Sequence, residues 1–382
     1  MPMQESFIFI TLQQLHGSMR RIALLVPFRG VESLAARQLL RSLMRFSSEL
    51  GIDVVGNPIQ DVRSPYEKSY YDRLSFILLR KLRTLERLAI ASRKYDIIII
   101  PYTTSFLQPL NEFDAKIAVK IVKLLIKSLA NKSVILYVYD SPVLQRIITG
   151  NRVPWYAVEA EKQLFKIADI IITFNKYFKN YLHDMYGISK DNIIEFQILD
   201  DYVSFIPPQH KKVSKPRKIV WIGNLSNIKN FPANILHQKI NFLIYGYGKP
   251  TFLFEGNISY KGLILEEERL VQDISSADFG LLYYGSRISS YLMFGTSMKF
   301  STYIVSGLPV ITTLDSIYPS AVVKSFNVGW VLPSIDQLGE FIEGLDEEEY
   351  NNVRRNVIIL SHKIRRGYFF KKALRESLKK IL

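Results

Sequence analysis

Residues 296–313 read TSMKFSTYIVSGLPVITT, and this stretch decides the fold. Gly307 can end a helix because glycine adopts a positive φ at little cost, and Pro309 cannot continue one. Val310 and Ile311 are β-branched residues that favour a strand. The stretch therefore predicts a helix that ends near Gly307 and leads directly into a buried strand.

The first turn of this predicted helix carries Ser297, Lys299 and Ser301. A helix start exposes unpaired N–H groups and the positive end of the helix dipole. Anions bind at such a start, and a lysine beside it adds charge of the right sign. The stretch indicates an anion-binding site, and the alternative interpretation is an amphipathic helix with a solvated lysine.

Apolar, strand-like runs alternate with helical patterns along the whole chain. In the first half these runs lie at 21–27, 52–56, 95–102, 133–140, 169–174 and 192–197. In the second half they lie at 218–223, 240–246, 278–284, 309–313 and 328–333. Runs that are apolar on both faces are typical of parallel strands between two helix layers. The sequence predicts two doubly wound, Rossmann-like α/β domains that face a cleft.

The domain boundaries follow from composition, since a chain of 382 residues usually holds more than one core. The stretch 205–217 is rich in Pro and Lys and predicts a linker. We expect an N-terminal domain at 19–204, a C-terminal domain at 218–360 and a basic amphipathic helix at 361–382. Met19 begins the first strand pattern and the residues before it do not resemble a signal peptide, so we expect the chain to start there.

The formal net charge is +15, from 50 basic and 35 acidic residues, which favours anionic partners. No recognisable nucleic-acid module is present, so we expect no nucleic acid partner. The absence of cysteine excludes disulfides and cysteine-bound metal and agrees with a cytoplasmic location. The 5 histidines are scattered and offer no metal-ligand spacing. No apolar run reaches the roughly 18 residues that a membrane span needs.

Basic residues are concentrated at the C-terminus, where 354–382 carry ten Lys or Arg and one acid beside an apolar stripe. A second basic segment lies at 80–94. If both point the same way, they form one patch that anionic lipid headgroups would hold. The expected location is then the inner face of a membrane. The alternatives are a solvated basic surface and a final helix that crosses back to pack on the first domain.

Two loops after strands of the second domain could bind a ligand. In WIGNLSNIKN, Gly223 and Asn224 form a turn that a phosphate could approach, and Lys229 could reach it. In LIYGYGKP, the third glycine of a dinucleotide fingerprint is missing and Pro250 stands where its helix should start. Tyr245 there could stack on a base. The alternatives are an ordinary strand-to-helix turn and a packed tyrosine.

The loops after strands of the first domain would form the opposite wall of the cleft. One of them, PFRGVES, contains Arg29 and Gly30, which we assign to substrate binding. Another, YDSP, contains Asp140, and a carboxylate at a strand end could take a proton from an acceptor hydroxyl. The alternative role of Asp140 is to cap the helix that begins at Pro142.

Four segments resemble motifs of one family of enzymes. DFGL at 278–281 and the segment KFSTYIVSGLPVI at 299–311 resemble its D-x-G-L strand and its K-[LF]-S-x-Y motif. YDSPVLQR at 139–146 resembles its H-D-x-x-x-L-R, and 159–175 resembles its E-x-x-x-x-N-K-A-D-x-x-I-x-H-N. The chain thus resembles GT-B glycosyltransferases of the glucosyltransferase-3-like and galactofuranosyltransferase-like group.

The resemblance implies a GT-B enzyme that moves a sugar from a nucleoside diphosphate, expected to be UDP, to a glycan or lipid-linked acceptor. It implies a donor site at the helix start, with Lys299 opposite the diphosphate and with Phe300, Ser301 and Tyr303 beside it. Asp140 becomes the expected catalytic base. GT-B enzymes work without a bound metal, so neither a metal nor another cofactor is expected.

This sequence also departs from the family pattern. Tyr139 and Phe174 stand where the group has histidine, and Thr296 to Tyr303 contains no carboxylate of an E-x7-E pair. These differences leave open two alternatives, a non-catalytic partner that binds a sugar nucleotide or glycan and a nucleotide-sugar epimerase of the same fold.

Overall fold

The computed structural model describes residues 20–26, 34–56, 86–102, 120, 123–124, 127–209, 211–215, 217–225, 240–248, 257–284 and 290–382. These residues form two six-stranded sheets with helices packed against them. Every strand pair in both sheets is parallel. The predicted architecture of two doubly wound α/β domains is confirmed.

The first sheet has the order β2-β1-β3-β4-β5-β6. Its strands are β1 Ile22–Leu25, β2 Asp53–Val55, β3 Ile97–Tyr102, β4 Ser133–Val138, β5 Ile170–Thr173 and β6 Ile193–Glu195. Four helices with described bounds accompany it: α1 Leu34–Glu49, α2 Pro142–Ile148, α3 Trp155–Phe165 and α4 Lys176–Tyr186. The central strands β3, β4 and β5 are almost entirely buried, as their unbroken apolar sequences require.

The second sheet has the order β12-β11-β10-β7-β8-β9. Its strands are β7 Lys218–Asn224, β8 Asn241–Tyr247, β9 Ile258–Gly262, β10 Phe279–Leu282, β11 Val310–Thr313 and β12 Gly329–Leu332. Its helices are α5 Glu267–Ile274, α6 Met298–Val305, α7 Ile317–Phe326, α8 Leu338–Gly344 and α9 Glu347–Arg365. The sequence did not predict β9, which lies at the sheet edge and is mostly exposed.

The stretch that decided the fold forms α6 and β11, as predicted. Gly307 has φ +77°, a conformation that only glycine adopts readily. A Cβ there would also come within 2.6 Å of Pro207, at the start of the predicted linker. The linker is held further along by Arg354 of α9, whose guanidinium donates to the carbonyls of Pro208 (2.7 Å) and Gln209 (3.0 Å).

The last helix, α10 (Tyr368–Ile381), packs on the first domain. It starts after Gly367, which has φ +69°, so it begins later than the expected position 361. Phe370 and Leu374 lie in the core of the first domain, and Asp200 accepts a hydrogen bond from the Phe370 amide at 2.6 Å. The exposed side of α10 is basic, with Lys372, Arg375, Lys379 and Lys380 in solvent.

The second of the two basic segments expected to form one patch, 80–94, is described only from residue 86 onward, so the single patch stays a prediction. A Cβ at Gly367 would come within 2.5 Å of Phe46, which places α10 beside α1 on one face of the first sheet. In the sheet, β2 lies on one side of β1 and β3 lies on the other. The connection from β1 to β2 and the connection from β2 to β3 therefore cross the sheet in opposite directions. Parallel crossovers are right-handed, so the helix at 86–94 lies on the face opposite α1.

Candidate functional site

Lys299 lies in the first turn of α6, at the carboxyl ends of the strands of the second sheet. Its Nζ is 4.9 Å from the centre of the Trp221 ring and 4.3 Å from that of Tyr284. Among the described residues it has no hydrogen bond or ion pair with an acidic side chain. Burial lowers its pKa to about 7, because removal from water disfavours the ammonium. Two aromatic faces stabilise the cation only in part.

Two glycines meet in the backbone beside Lys299, and the Trp221 ring packs against one of them, 2.7 Å from where a Cβ of Gly223 would stand. Gly223 of β7 pairs with Gly246 of β8, and a Cβ at Gly246 would lie 1.7 Å from the Gly223 carbonyl oxygen. A Cβ at Gly223 would lie 2.9 Å from Lys299 Nζ. The structure therefore brings together Gly223, where we expected a phosphate to approach, and Lys299.

The N-cap residue of α6 forms its side-chain hydrogen bond with a neighbouring residue and not with the helix. Ser297, the N-cap residue, makes no capping hydrogen bond with its side chain. Its hydroxyl instead accepts a hydrogen bond of 2.5 Å from Tyr284. The Phe300 amide already donates to the Ser297 carbonyl at 3.0 Å, so the first-turn amides left for an anion among the described residues are those of Met298 and Lys299.

Three residues that we assigned to the donor site are buried in the core instead. Phe300, Ser301 and Tyr303 have no solvent exposure. Ser301 donates to the Leu199 carbonyl at 2.5 Å and so joins α6 to the first domain. Tyr303 accepts from the Ile222 amide at 3.1 Å and donates to the carbonyl of Leu281 at 3.2 Å. These three side chains serve packing and the contact between the domains, and their assignment to the donor site stays a prediction.

Tyr245 and Asn224 lie at the ends of β8 and β7. Tyr245 is only 4% exposed and packs in the second-domain core, so the expected stacking on a base is not supported for its ring. Tyr247, two residues on, is 52% exposed at the same strand end. The side-chain oxygen of Asn224 lies 2.9 Å from where a Cβ of Gly248 would stand, so Asn224 lines this edge.

Asp140 follows β4 and lies across the cleft from α6. Its Oδ1 accepts a hydrogen bond from the phenol of Tyr291, a residue of the second domain. Burial raises the pKa of Asp140, while the hydrogen bonds from Tyr291 and from the Ser141 amide act in the opposite direction. The Ser141 side chain caps α2, accepting from the Leu144 amide at 3.1 Å. The capping role that was the alternative for Asp140 thus belongs to Ser141.

Glu161 of α3 is buried next to Ser141, just after the end of β4. It is 2% exposed and accepts hydrogen bonds from Tyr102 (2.7 Å), Tyr186 (2.6 Å) and Ser141 (3.0 Å). Burial raises the pKa of Glu161, and these donors partly offset that effect. Glu161 is the glutamate of the E-x-x-x-x motif, which was the available signal for its importance, but our site assignment did not include it.

A second carboxyl cluster joins the domains near the linker. Asp201 accepts from Gln38 of α1 at 2.7 Å and shares a hydrogen bond with Glu267 of α5. Burial and the proximity of Asp201 raise the pKa of Glu267.

Three expected site residues, Arg29, Gly30 and Lys229, lie outside the described residues. In the part of the chain that is described, no group of three His, Asp or Glu side chains could hold a metal ion. None of the described helices is both long and apolar enough to cross a bilayer.

The second domain matches a known protein family. Residues 219–377 match the family "Glucosyltransferase 3-like, C-terminal domain". Beta-1,6-galactofuranosyltransferase WbbI of Escherichia coli (strain K12) is 26% identical over 215 residues, which are 54% of this chain and 63% of that protein. Glucosyltransferase 3 of Streptococcus parasanguinis is 20% identical over 273 residues, which are 70% of this chain and 74% of that protein.

Solved structures extend the comparison to the whole fold. An alpha-glucosyltransferase in complex with UDP and a 13-mer DNA containing an HMU base has a TM-score of 0.62 and 13% identity, covering 95% of this chain and 99% of that one. The GT-B fold and the resemblance to the glucosyltransferase-3-like group are therefore confirmed. The match to the E. coli relative spans less than two thirds of that protein.

Proposed function

We propose that this protein is a glycosyltransferase that moves a sugar from a UDP-sugar to a hydroxyl group of a glycan or lipid-linked acceptor. The observation that carries the proposal is the Lys299 ammonium, which stands at a helix start without an acidic partner among the described residues. A diphosphate would supply that partner. The relatives named above are glycosyltransferases, and one structural neighbour holds UDP.

The donor diphosphate would lie over Gly223, within reach of Lys299 and the first N–H groups of α6. As the bond to the sugar breaks, negative charge develops on the departing UDP. Fixed dipoles and a cation in a site shielded from water stabilise such charge without reorganisation. The cationic groups thus do the work that a divalent ion does elsewhere, and we propose turnover without a metal.

The acceptor hydroxyl would bind on the side of the first domain. Asp140 is the proposed general base, because its carboxylate faces the second domain from a strand end. Its raised pKa makes it a better proton acceptor than an ordinary aspartate. Arg29 and Gly30 in the loop after β1, together with Lys229 near the donor, remain proposed binding residues.

The exposed basic side of α10 is the part of the proposed patch that the structure describes in full. Lys372, Arg375, Lys379 and Lys380 would attract anionic headgroups and bring a lipid-linked acceptor to the cleft. We expect the protein to sediment with anionic vesicles and not with neutral ones, and to detach at high salt. If the protein sedimented with neither vesicle type, membrane binding would be rejected and the proposed transferase activity would be unaffected.

The test of the function is calorimetry with UDP, ADP, GDP and CDP, followed by assays with UDP-sugars in EDTA. We expect UDP to bind most tightly and UDP release to require an added acceptor. Conversion of the donor without any acceptor would indicate an epimerase, and binding without turnover would indicate the non-catalytic partner. Activity that EDTA abolishes and Mn²⁺ restores would overturn the metal-free mechanism.

A further inference from the structure

Tyr291 is a second-domain residue that contacts the first domain at the proposed base. It opens the short 3₁₀ turn Tyr291–Phe294. Its phenol donates to Oδ1 of Asp140, and the Ser141 amide donates to the phenol oxygen at 3.3 Å. Tyr291 of the second domain is therefore a hydrogen-bond donor to the Asp140 carboxylate of the first domain.

The segment that carries Tyr291 is fixed to the first domain at several further points. The Asn175 side chain donates to the Met293 carbonyl at 3.1 Å. A Cβ at Gly295 would lie 2.5 Å from the Phe174 ring, so only glycine fits against that ring. Phe294 makes an edge contact with Phe178 at 6.2 Å between ring centres. The position of the Tyr291 phenol is therefore set by packing.

The same segment leads directly into the donor site. Ser297 follows Gly295 by two residues and is bonded to Tyr284, one of the two rings beside Lys299. Met298, the first residue of α6, follows Tyr291 by seven positions in the chain. The segment joins the proposed base and the proposed phosphate site mechanically.

We propose that Tyr291 is a positioning residue, which holds Oδ1 of Asp140 so that Oδ2 is aimed at the acceptor hydroxyl. The proton transfer rests on the proposed function, whereas the hydrogen bond and its effect on the carboxylate do not. In the reaction the acceptor oxygen bonds to the anomeric carbon, its proton goes to Oδ2, and UDP leaves with the electron pair of the broken bond.

The phenol is suited to this role because it stays protonated. Burial and the nearby Asp140 raise the pKa of Tyr291 well above the ordinary value. The other titratable groups that act on this pair are Tyr102 at the end of β3 and Glu161 of α3. The Tyr102 phenol donates to Glu161, so among the described side chains Tyr291 is the one that donates to Asp140.

The test compares Tyr291→Phe with wild type by carbon NMR of protein labelled at the aspartate carboxyl carbons. The Asp140 signal is identified by its loss in Asp140→Asn. Tyr291→Phe removes a donor to the charged form, so we expect Asp140 to titrate at higher pH than in wild type. Tyr368→Phe, a change at the start of α10 away from the cleft, should leave the titration unchanged.

In Tyr291→Phe we also expect the acidic limb of the pH profile, in which kcat/KM falls as the pH is lowered, to lie at higher pH than in wild type. Activity should fall about ten-fold or more below this limb, the scale of a lost hydrogen bond to a charged group, and should recover above it. An unchanged Asp140 titration would overturn the inference, whatever the enzyme assays give. A shifted titration in a protein without transferase activity would keep Tyr291 as the residue that holds Asp140 and would reject the proposed function.

Discussion

The two charged groups of the cleft, Lys299 and Asp140, are buried in opposite ways. Lys299 lies between two aromatic rings and lacks an acidic partner among the described residues. Asp140 lies in a network of hydrogen-bond donors that includes Tyr291 and Ser141. Burial favours the neutral form of each, lowering one pKa and raising the other. The difference is the one that the proposed function requires, in which the donor side receives an anion and the acceptor side takes up a proton.

The largest effect should come from the acceptor side. Asp140→Asn removes the proposed base but can still accept from Tyr291 through its amide oxygen. We expect kcat to fall about 10²–10⁴-fold, the usual contribution of a general base, with UDP affinity unchanged. Steady-state assays and calorimetry on the same protein measure the two quantities. Asp184→Asn on the exposed side of α4 is the matched control, and wild-type turnover in Asp140→Asn would eliminate Asp140 as base.

On the donor side, Lys299→Met should weaken UDP binding by about 1–3 kcal/mol, the scale of a charged hydrogen bond left unmade. The fold should not suffer, because methionine fills the space between the rings without a buried charge. Calorimetry gives the affinity and thermal unfolding gives the stability. Lys324→Met, an exposed lysine of α7, is the control. Full UDP affinity in Lys299→Met would move the diphosphate elsewhere.

The smallest effect on binding should come from the body of α6. Tyr303→Phe leaves the Ile222 amide and the Leu281 carbonyl without their buried partner. We expect the free energy of unfolding to fall by about 1–3 kcal/mol and UDP affinity to stay the same. Denaturant unfolding with parallel UDP titration tests this. A variant with normal stability and weak UDP binding would restore Tyr303 to the site and erase the distinction between the start of α6 and its body.

The sequence predicted what depends on local pattern. The helix and strand of 296–313 were correct because Gly307 and Pro309 punctuate the chain there. The edge strand β9 was missed because its sequence, ISYKG, is mostly polar and mostly exposed and contains no apolar run. The family resemblance placed Phe300 and Tyr303 in the site, and both side chains are buried where α9 and the sheet cover α6.

Contacts between distant parts of the chain could not be predicted. Tyr291 and Asp140 are 151 positions apart, and no periodicity links residues at that separation. Trp221 lies within β7 and Tyr284 follows β10, so their approach to Lys299 depends on the sheet order. Glu161 was visible in a motif, but its three hydroxyl donors come from separate elements.

The most direct test of the central claim, that Lys299 receives the diphosphate, is the uptake of protons when UDP binds. The pKa of Lys299 is lowered to about 7 in the free protein, so at pH 8 most of these side chains are neutral. A bound diphosphate favours the ammonium and raises that pKa, and binding should then take up a proton. Calorimetry at pH 8 in buffers of different ionisation enthalpy should show uptake in wild type and none in Lys299→Met. Equal proton uptake in both proteins, or none in either, would contradict the account.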